Sequence, residues 1–187
     1  MNIYLIRHTT PNIDLVYAYG QSDLDVKETF PKEVERIKAV LPAFKSATIV
    51  SSPLQRCAKL AQALEIGDVE FDDRLKEINF GDWEMVRWSA INKEKFDYWL
   101  ADFVNRRAPG GESYKDMYER MNDFLDEKLK SKAKDIVIVS HGGAIRTILA
   151  RVVEMPLKNL FHINLDFGGV AKLEFTENKL KIDYINK

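Results

Sequence analysis

Three pairs of polar residues sit directly behind apolar runs in this chain. Arg7 and His8 follow Ile3–Ile6, and two hydroxyls and Pro11 come after them (IYLIRHTTP). Pro11 has no N–H to give to a ladder, so a strand ends at this cluster. Ser52 and Arg56 follow the run Ala47–Ser51, and Ser140 and His141 follow Asp135–Val139. An arginine keeps its charge at any working pH and offers a planar fork of donors that fits phosphate. A histidine beside it can act as nucleophile, acid/base or metal ligand. In open α/β sheets the ligand crevice lies outside the carboxyl ends of the strands. The two arginines and two histidines are therefore expected to converge, although they are far apart in sequence. Two guanidinium forks and two imidazoles around one crevice suit a tetrahedral dianion, whose charge arginines can stabilise without a metal.

Competing chemistries lack their signatures. The chain has no G-x-x-x-x-G-K-[ST] and no G-x-S-x-G. Cys57 is followed by AKLAQAL, without the nearby arginine that a cysteine-based phosphatase needs, and falls on an apolar helix face. It reads as core. Three histidines in all, with arginines beside the two best placed, do not make a zinc site.

The elements that must position these residues alternate. A strand at Ile3–Ile6 precedes an irregular stretch to about Lys27. A helix then carries Phe30, Val34, Ile37 and Leu41 on one face, with Pro31 in its first turn and Pro42 after it. The strand at Ala47–Ser51 runs into a helix for which Ser52 is the expected N-cap, with Pro53 at N1 and Gln55 closing a capping box. Arg56 then lies in a first helical turn, where anions bind. The stretch from Asp68 to about Arg107 is less regular, with a helix-like, aromatic-rich segment over Ile91–Val104 (Phe96, Trp99, Phe103). Ser113 and Asp116 form a second capping box ahead of a helix striped by Met117, Met121, Phe124 and Leu125. The strand Asp135–Val139 leads into a helix with Ile145, Ile148, Leu149 and Val152 inward. A hairpin with its turn near Glu177–Asn178 closes the chain. This order predicts an α/β fold of three layers, a mostly parallel central sheet flanked by helices with a C-terminal hairpin-like strand pair. At 187 residues one domain is expected, with a small helical cap insert at about 82–108.

The net charge of −1 argues against nucleic acid or an anionic membrane as partner, and no apolar run approaches a membrane span. The N-terminal apolar run is short, lacks a basic leader and ends at Arg7, so no signal peptide is expected. One cysteine allows no internal disulfide. Together these predict a reduced, cytoplasmic protein, monomer or homodimer, with no cofactor and no metal.

The motifs resemble those of the histidine phosphatase superfamily, also called phosphoglycerate mutase-like. Its R-H-G reads Arg7, His8, Thr9 here. Its S-S-P-L-x-R-[CA] is matched by Ser51–Cys57, its L-x-E-x-x-F-G-x-W-E by Leu75–Glu84, its P-G-G-E-S by Pro109–Ser113 and its S-H-G-G by Ser140–Gly143. The motifs fall in the family's order over most of the chain. The resemblance implies a phosphomonoester hydrolase. His8 would be the nucleophile and form a phosphohistidine. Arg7, Arg56 and His141 would hold the phosphoryl oxygens, and Glu77 would protonate the leaving oxygen and then activate water. Thr9 and Met85 depart from the family's glycines. Asn12 and Gln21 are candidates for further phosphate contacts. The short segment between acid and second histidine favours a hydrolase over a phosphoglycerate mutase. YGQSD (Tyr19–Asp23), together with LKEINFGDWE and PGGES, is most similar to α-ribazole phosphatases, whose substrate carries an aromatic base. Tyr17, Tyr19 or Trp83 would line a mouth suited to stacking it, with core packing as the other reading and the favoured one for Trp83, Trp88 and Trp99. Broad-specificity sugar-phosphate hydrolysis is the alternative, and a phospho-ligand sensor without turnover is the non-enzyme reading. His162, in an apolar segment, reads as structural, Glu84 as a surface residue or a second carboxylate, and Glu112 as part of a helix start.

Overall fold

The computed structural model describes Met1–Lys187. Its centre is a six-stranded sheet in the order β3-β2-β4-β1-β5-β6. The strands are β1 (Asn2–Arg7), β2 (Thr48–Ser51), β3 (Val69–Phe71), β4 (Asp135–Ser140), β5 (Val170–Thr176) and β6 (Lys179–Tyr184). Strands β3, β2, β4 and β1 run parallel, and β5 and β6 join antiparallel. The near-continuous apolar runs of β1 and β4 follow from burial on both faces. Ile3 and Leu5 of β1 face one core with Ile136 and Ile138, while Tyr4 and Ile6 face the other with Val137 and Val139.

The second of these cores is covered by α1 (Phe30–Val40) and α2 (Gln55–Ala63). The first is covered by α4 (Tyr114–Leu129) and α5 (Gly142–Val152). The three layers and the C-terminal strand pair match expectation. The hairpin turn falls at Glu177 and Asn178, both at positive φ. No helix is long and apolar enough to cross a membrane.

Three local expectations need correction. The chain pairs at Val69–Phe71 as an edge strand where irregular structure was expected. The helix of the aromatic-rich segment, α3, is shorter than the apolar spacing implied and covers Lys93–Leu100. Its aromatic rings Trp83, Trp88, Phe96, Trp99 and Phe103 pack into the first core rather than standing apart. Helix α2 does not start on a Ser52 capping box. Leu54 is its N-cap, and Asp23, from the loop after β1, takes both the Gln55 N–H (2.7 Å) and the Gln55 side-chain amide (3.1 Å). A carboxylate from elsewhere serves the helix's open N–H groups just as well, and it leaves Ser52 free for another partner.

Candidate active site

The parallel register brings the three motif-bearing strand ends level. Arg7 lies opposite Ser140, Ser51 lies opposite Val139, and the chain continues past them through His8 N–H to Ser140 O (2.9 Å) and Ser52 N–H to Val139 O (3.0 Å). His8, Arg56 and His141 are therefore buried together, with the His8 and His141 ring centres 5.1 Å apart. A cavity of about 140 Å³ opens beside His8, lined among others by Arg7, His8, Tyr19, Glu77, Tyr114 and Arg146, while Arg56 and His141 are fully buried and do not line it.

His8 is fixed in one tautomer. Its Nδ1 lies 2.7 Å from the carbonyl of Thr9, which can only accept. Nδ1 must carry the proton, and Nε2 keeps its lone pair. Burial, then the charges of Arg56 and Arg7, hold the imidazole well below its ordinary 6.5, so the ring is neutral at pH 7. His141 is depressed in the same way, by burial first and then by Arg56 and His8. Its Nε2 is held at 2.8 Å by Ser52 Oγ, with Cys57 Sγ at 3.4 Å. Burial raises the Cys57 thiol, which stays protonated and packs as core.

Arg56 is completely buried. Its terminal nitrogens donate to Ser22 O (2.8 Å) and Gly20 O (2.6 Å), while its Nε has no partner in the chain. Arg7 donates to Leu165 O (2.6 Å) and lies 3.7 Å over the Phe167 ring, and its buried Nε also lacks a partner. No carboxylate forms an ion pair with either guanidinium. Guanidinium groups held without a carboxylate, one of them fully buried, suit an anionic ligand.

Glu77 sits at the N-terminus of α5, accepting from Gly143 N–H (2.8 Å), Ala144 N–H (3.2 Å) and its own next residue, Ile78 N–H (3.0 Å). A Cβ on Gly143 would come within 2.4 Å of Glu77 Oε1, which is why the second glycine of S-H-G-G is needed. From behind, Arg120 of α4 donates to the carbonyls of Arg74, Lys76 and Glu77 at 2.6, 2.6 and 2.9 Å, and pairs with Glu112. Gln21 donates its side-chain amide to Glu77 O (3.0 Å). Gln21 therefore braces the Glu77 backbone instead of facing the cavity.

Of the other expected substrate residues, Tyr19 lines the cavity, 5.8 Å from Arg56 Cζ. Asn12 is exposed, with its N–H bonded to Asp25 O, and does not line it. Trp83 does not line it either. The turn Gly81–Trp83 drives that ring into the aromatic cluster against Trp99 and Phe96. Tyr17 pairs with Arg87 instead. His162 is exposed and away from the cavity. No group of three His, Cys, Asp or Glu side chains that could hold a metal ion occurs.

Sequence reasoning missed Arg146, Arg120, Tyr114 and Phe161. Only Arg146 had a signal within reach, since it lies on the first turns of the helix that S-H-G-G opens. Glu84 is neither a surface residue nor a second cavity carboxylate. It accepts the N–H groups of Gly20, Gln21, Ser22 and Phe80 at 2.9–3.1 Å, and the Ser22 hydroxyl. It thereby fixes the loop whose carbonyls hold Arg56.

The family model for the histidine phosphatase superfamily (branch 1) matches residues 3–187. The chain belongs to that superfamily. Over 99% of its length it is 28% identical to a Hydrogenobacter thermophilus protein provisionally named phosphoserine phosphatase 2, covering 95% of it. It is 24% identical to the adenosylcobalamin/alpha-ribazole phosphatase of Escherichia coli K12, over the whole chain and 96% of the relative. Among solved structures, the alpha-ribazole phosphatase of Shigella flexneri superposes with a TM-score of 0.92 at 21% identity, over 100% of this chain and 96% of that one, a match of fold.

Proposed function

We propose that this histidine phosphatase hydrolyses phosphomonoesters through a phosphohistidine on His8. The observation that carries the reading is the 2.7 Å bond from His8 Nδ1 to Thr9 O, which leaves the Nε2 lone pair free on a ring that lines the cavity with Arg7 and Glu77. In the first step Nε2 attacks phosphorus and the P–O bond to the leaving group breaks. Glu77 gives its proton to the departing oxygen. In the second step Glu77 takes a proton from water, which attacks phosphorus, and the N–P bond breaks to release phosphate and restore neutral His8. Splitting one displacement into two lowers each barrier. Arg7, Arg56 and His141 hold the equatorial oxygens, a role that static donors in a dry site perform well.

Rapid quenching with labelled 4-nitrophenyl phosphate tests this. An acid-labile, alkali-stable phosphoenzyme that is absent from His8→Ala is the expected result. Full turnover by His8→Ala overturns it. Phosphate release separates hydrolysis from binding without turnover and from transfer between substrate positions.

The aromatic rings of Tyr19, Phe80, Tyr114 and Phe161 around the cavity support a narrower second reading, α-ribazole 5′-phosphate as substrate. The names of the Escherichia and Shigella relatives point the same way. A panel of phosphomonoesters ranked by kcat/KM tests it, with 3-phosphoglycerate and sugar phosphates as competitors. A flat ranking leaves the chemistry at His8 intact and removes the nucleotide.

A further inference from the structure

Every N–H of the Arg120 guanidinium has a partner, although Arg120 does not line the cavity. Its Nε donates to Glu112 Oε1 (2.9 Å), its Nη1 to the carbonyls of Arg74 and Lys76 (2.6 Å each), and its Nη2 to Glu77 O and Glu112 Oε2 (2.9 Å each). A guanidinium has no further donor to offer. Arg7 and Arg56 each leave Nε without a partner, as groups awaiting an anion do. Arg120, with nothing left for a ligand, acts within the chain.

Three of its acceptors lie on the segment that carries Glu77. The chain leaves a short 3-10 turn, Asp73–Leu75, at Lys76 and continues in extended backbone outside the sheet. No backbone N–H reaches the carbonyls of Arg74, Lys76 or Glu77. Side chains serve them instead, and Ser140 Oγ serves Leu75 O between them (2.7 Å). Glu112 completes the clamp beyond Glu77. Its Oε2 accepts the Asn79 N–H (2.9 Å), and its own N–H donates to Asn79 O (2.8 Å). Extended backbone without a ladder has no fixed shape of its own, and a planar five-donor fork can impose one where a flexible ammonium cannot. Proton transfer by Glu77 needs its carboxylate within hydrogen-bond reach of the reacting oxygen, and a misplacement of about 1 Å can cost about 100-fold.

We propose that Arg120 is a positioning residue. Through the carbonyls of Arg74, Lys76 and Glu77, with Glu112 as its counter-charge, it sets where the Glu77 carboxylate stands at the cavity. This rests on the role given to Glu77 in the phosphatase reading. The test compares kcat/KM for propyl phosphate, whose alkoxide needs a proton to leave, with that for 4-nitrophenyl phosphate, whose phenolate needs little. In Arg120→Met the expected fall is about 100-fold for the first and under about ten-fold for the second. With labelled 4-nitrophenyl phosphate the steady-state fraction of phosphorylated His8 rises, because the second step still needs Glu77. Arg120→Lys, with three N–H groups for five acceptors, falls between native and Arg120→Met. Adding Arg120→Met to Glu77→Gln costs little more than Glu77→Gln alone. Equal losses on the two substrates mark a general loosening of the fold and overturn the proposal, as do losses that multiply in the double variant. If Arg120→Met does not fold, Arg120→Lys decides, and a native ratio there overturns the proposal. A ratio moved by Glu77→Gln but not by Arg120→Met defeats this proposal alone. A ratio unmoved by Glu77→Gln defeats the role given to Glu77 and this proposal with it.

Discussion

Thr9 replaces the glycine that usually follows the family's first histidine, and its buried hydroxyl has no partner. Its carbonyl, which holds His8 Nδ1, is common to any residue at that position. Replacing an unpaired buried hydroxyl by a methyl of the same shape costs little. Thr9→Val is therefore expected to match or exceed the native stability, within about 1 kcal/mol, by urea denaturation. A loss well beyond that would reveal a partner for the hydroxyl. The histidines carry a pH signature. Both have folded pKa values depressed well below 6.5 by burial and by Arg56, so the native state resists the protons that the unfolded chain takes up. Their contribution is full above pH 6.5 and is lost as pH falls below it. Melting temperature should drop on acidification through that range, and less steeply in His8→Gln. Because His8 is already neutral, kcat/KM should show no inflection near 6.5 belonging to its protonation.

At the scale of elements, the loop Tyr19–Ser22 is held by one carboxylate. Burial alone would raise Glu84, but the Ser22 hydroxyl and the N–H groups of Gly20, Phe80 and Gln21 more than offset it, and the group sits below the usual carboxylate value. That stabilisation is present above about pH 4.5 and is lost as pH falls through the folded value. Glu84→Gln is expected to cost about 2 kcal/mol, because the NH2 end of an amide cannot accept the donors that converge on the oxygen it replaces. Arg56, held by this loop's carbonyls, should suffer with it. A fall in kcat accompanying the lost stability checks this, and stability lost without any effect on kcat would separate the loop from Arg56. Elements backed by long apolar runs were legible in the sequence. Strands β1 and β4, helix α5 and the hairpin fall where their periodicity put them, and of the residues the motifs named, Arg7, His8 and Glu77 line the cavity. Strand β3 was not legible, since three residues paired on one side only, with Glu70 and Phe71 exposed, leave no alternation. The cap of α2 was missed because Asp23 is 32 residues away from Gln55. Trp83 packs in the aromatic cluster and not at the mouth because a turn, which periodicity does not describe, decides where its ring goes. Met85 takes a positive φ of 62°, which explains in backbone terms why glycine is usual there.

The whole molecule is organised around a strand whose two sheet neighbours both come much later in the chain. Strand β1 lies between β4 and β5, with Asn2 opposite both Asp135 and Glu174. At about 5–20 residues per second, on the order of ten seconds separate the synthesis of His8 from that of its first sheet neighbour. Through that interval Ile3–Ile6 is an apolar segment without a partner, and loop closure over so long a span is slow to reward. Nascent chains stalled near residue 130 are thus expected to be cut readily by protease within β1, while chains stalled after β6 has cleared the tunnel resist. Protection of β1 in the shorter chain would refute this order of assembly. The arrangement also means that a fragment truncated anywhere before β4 has its His8 without the strands that flank it, so the groups around His8 come together only once β4 and β5 have been made.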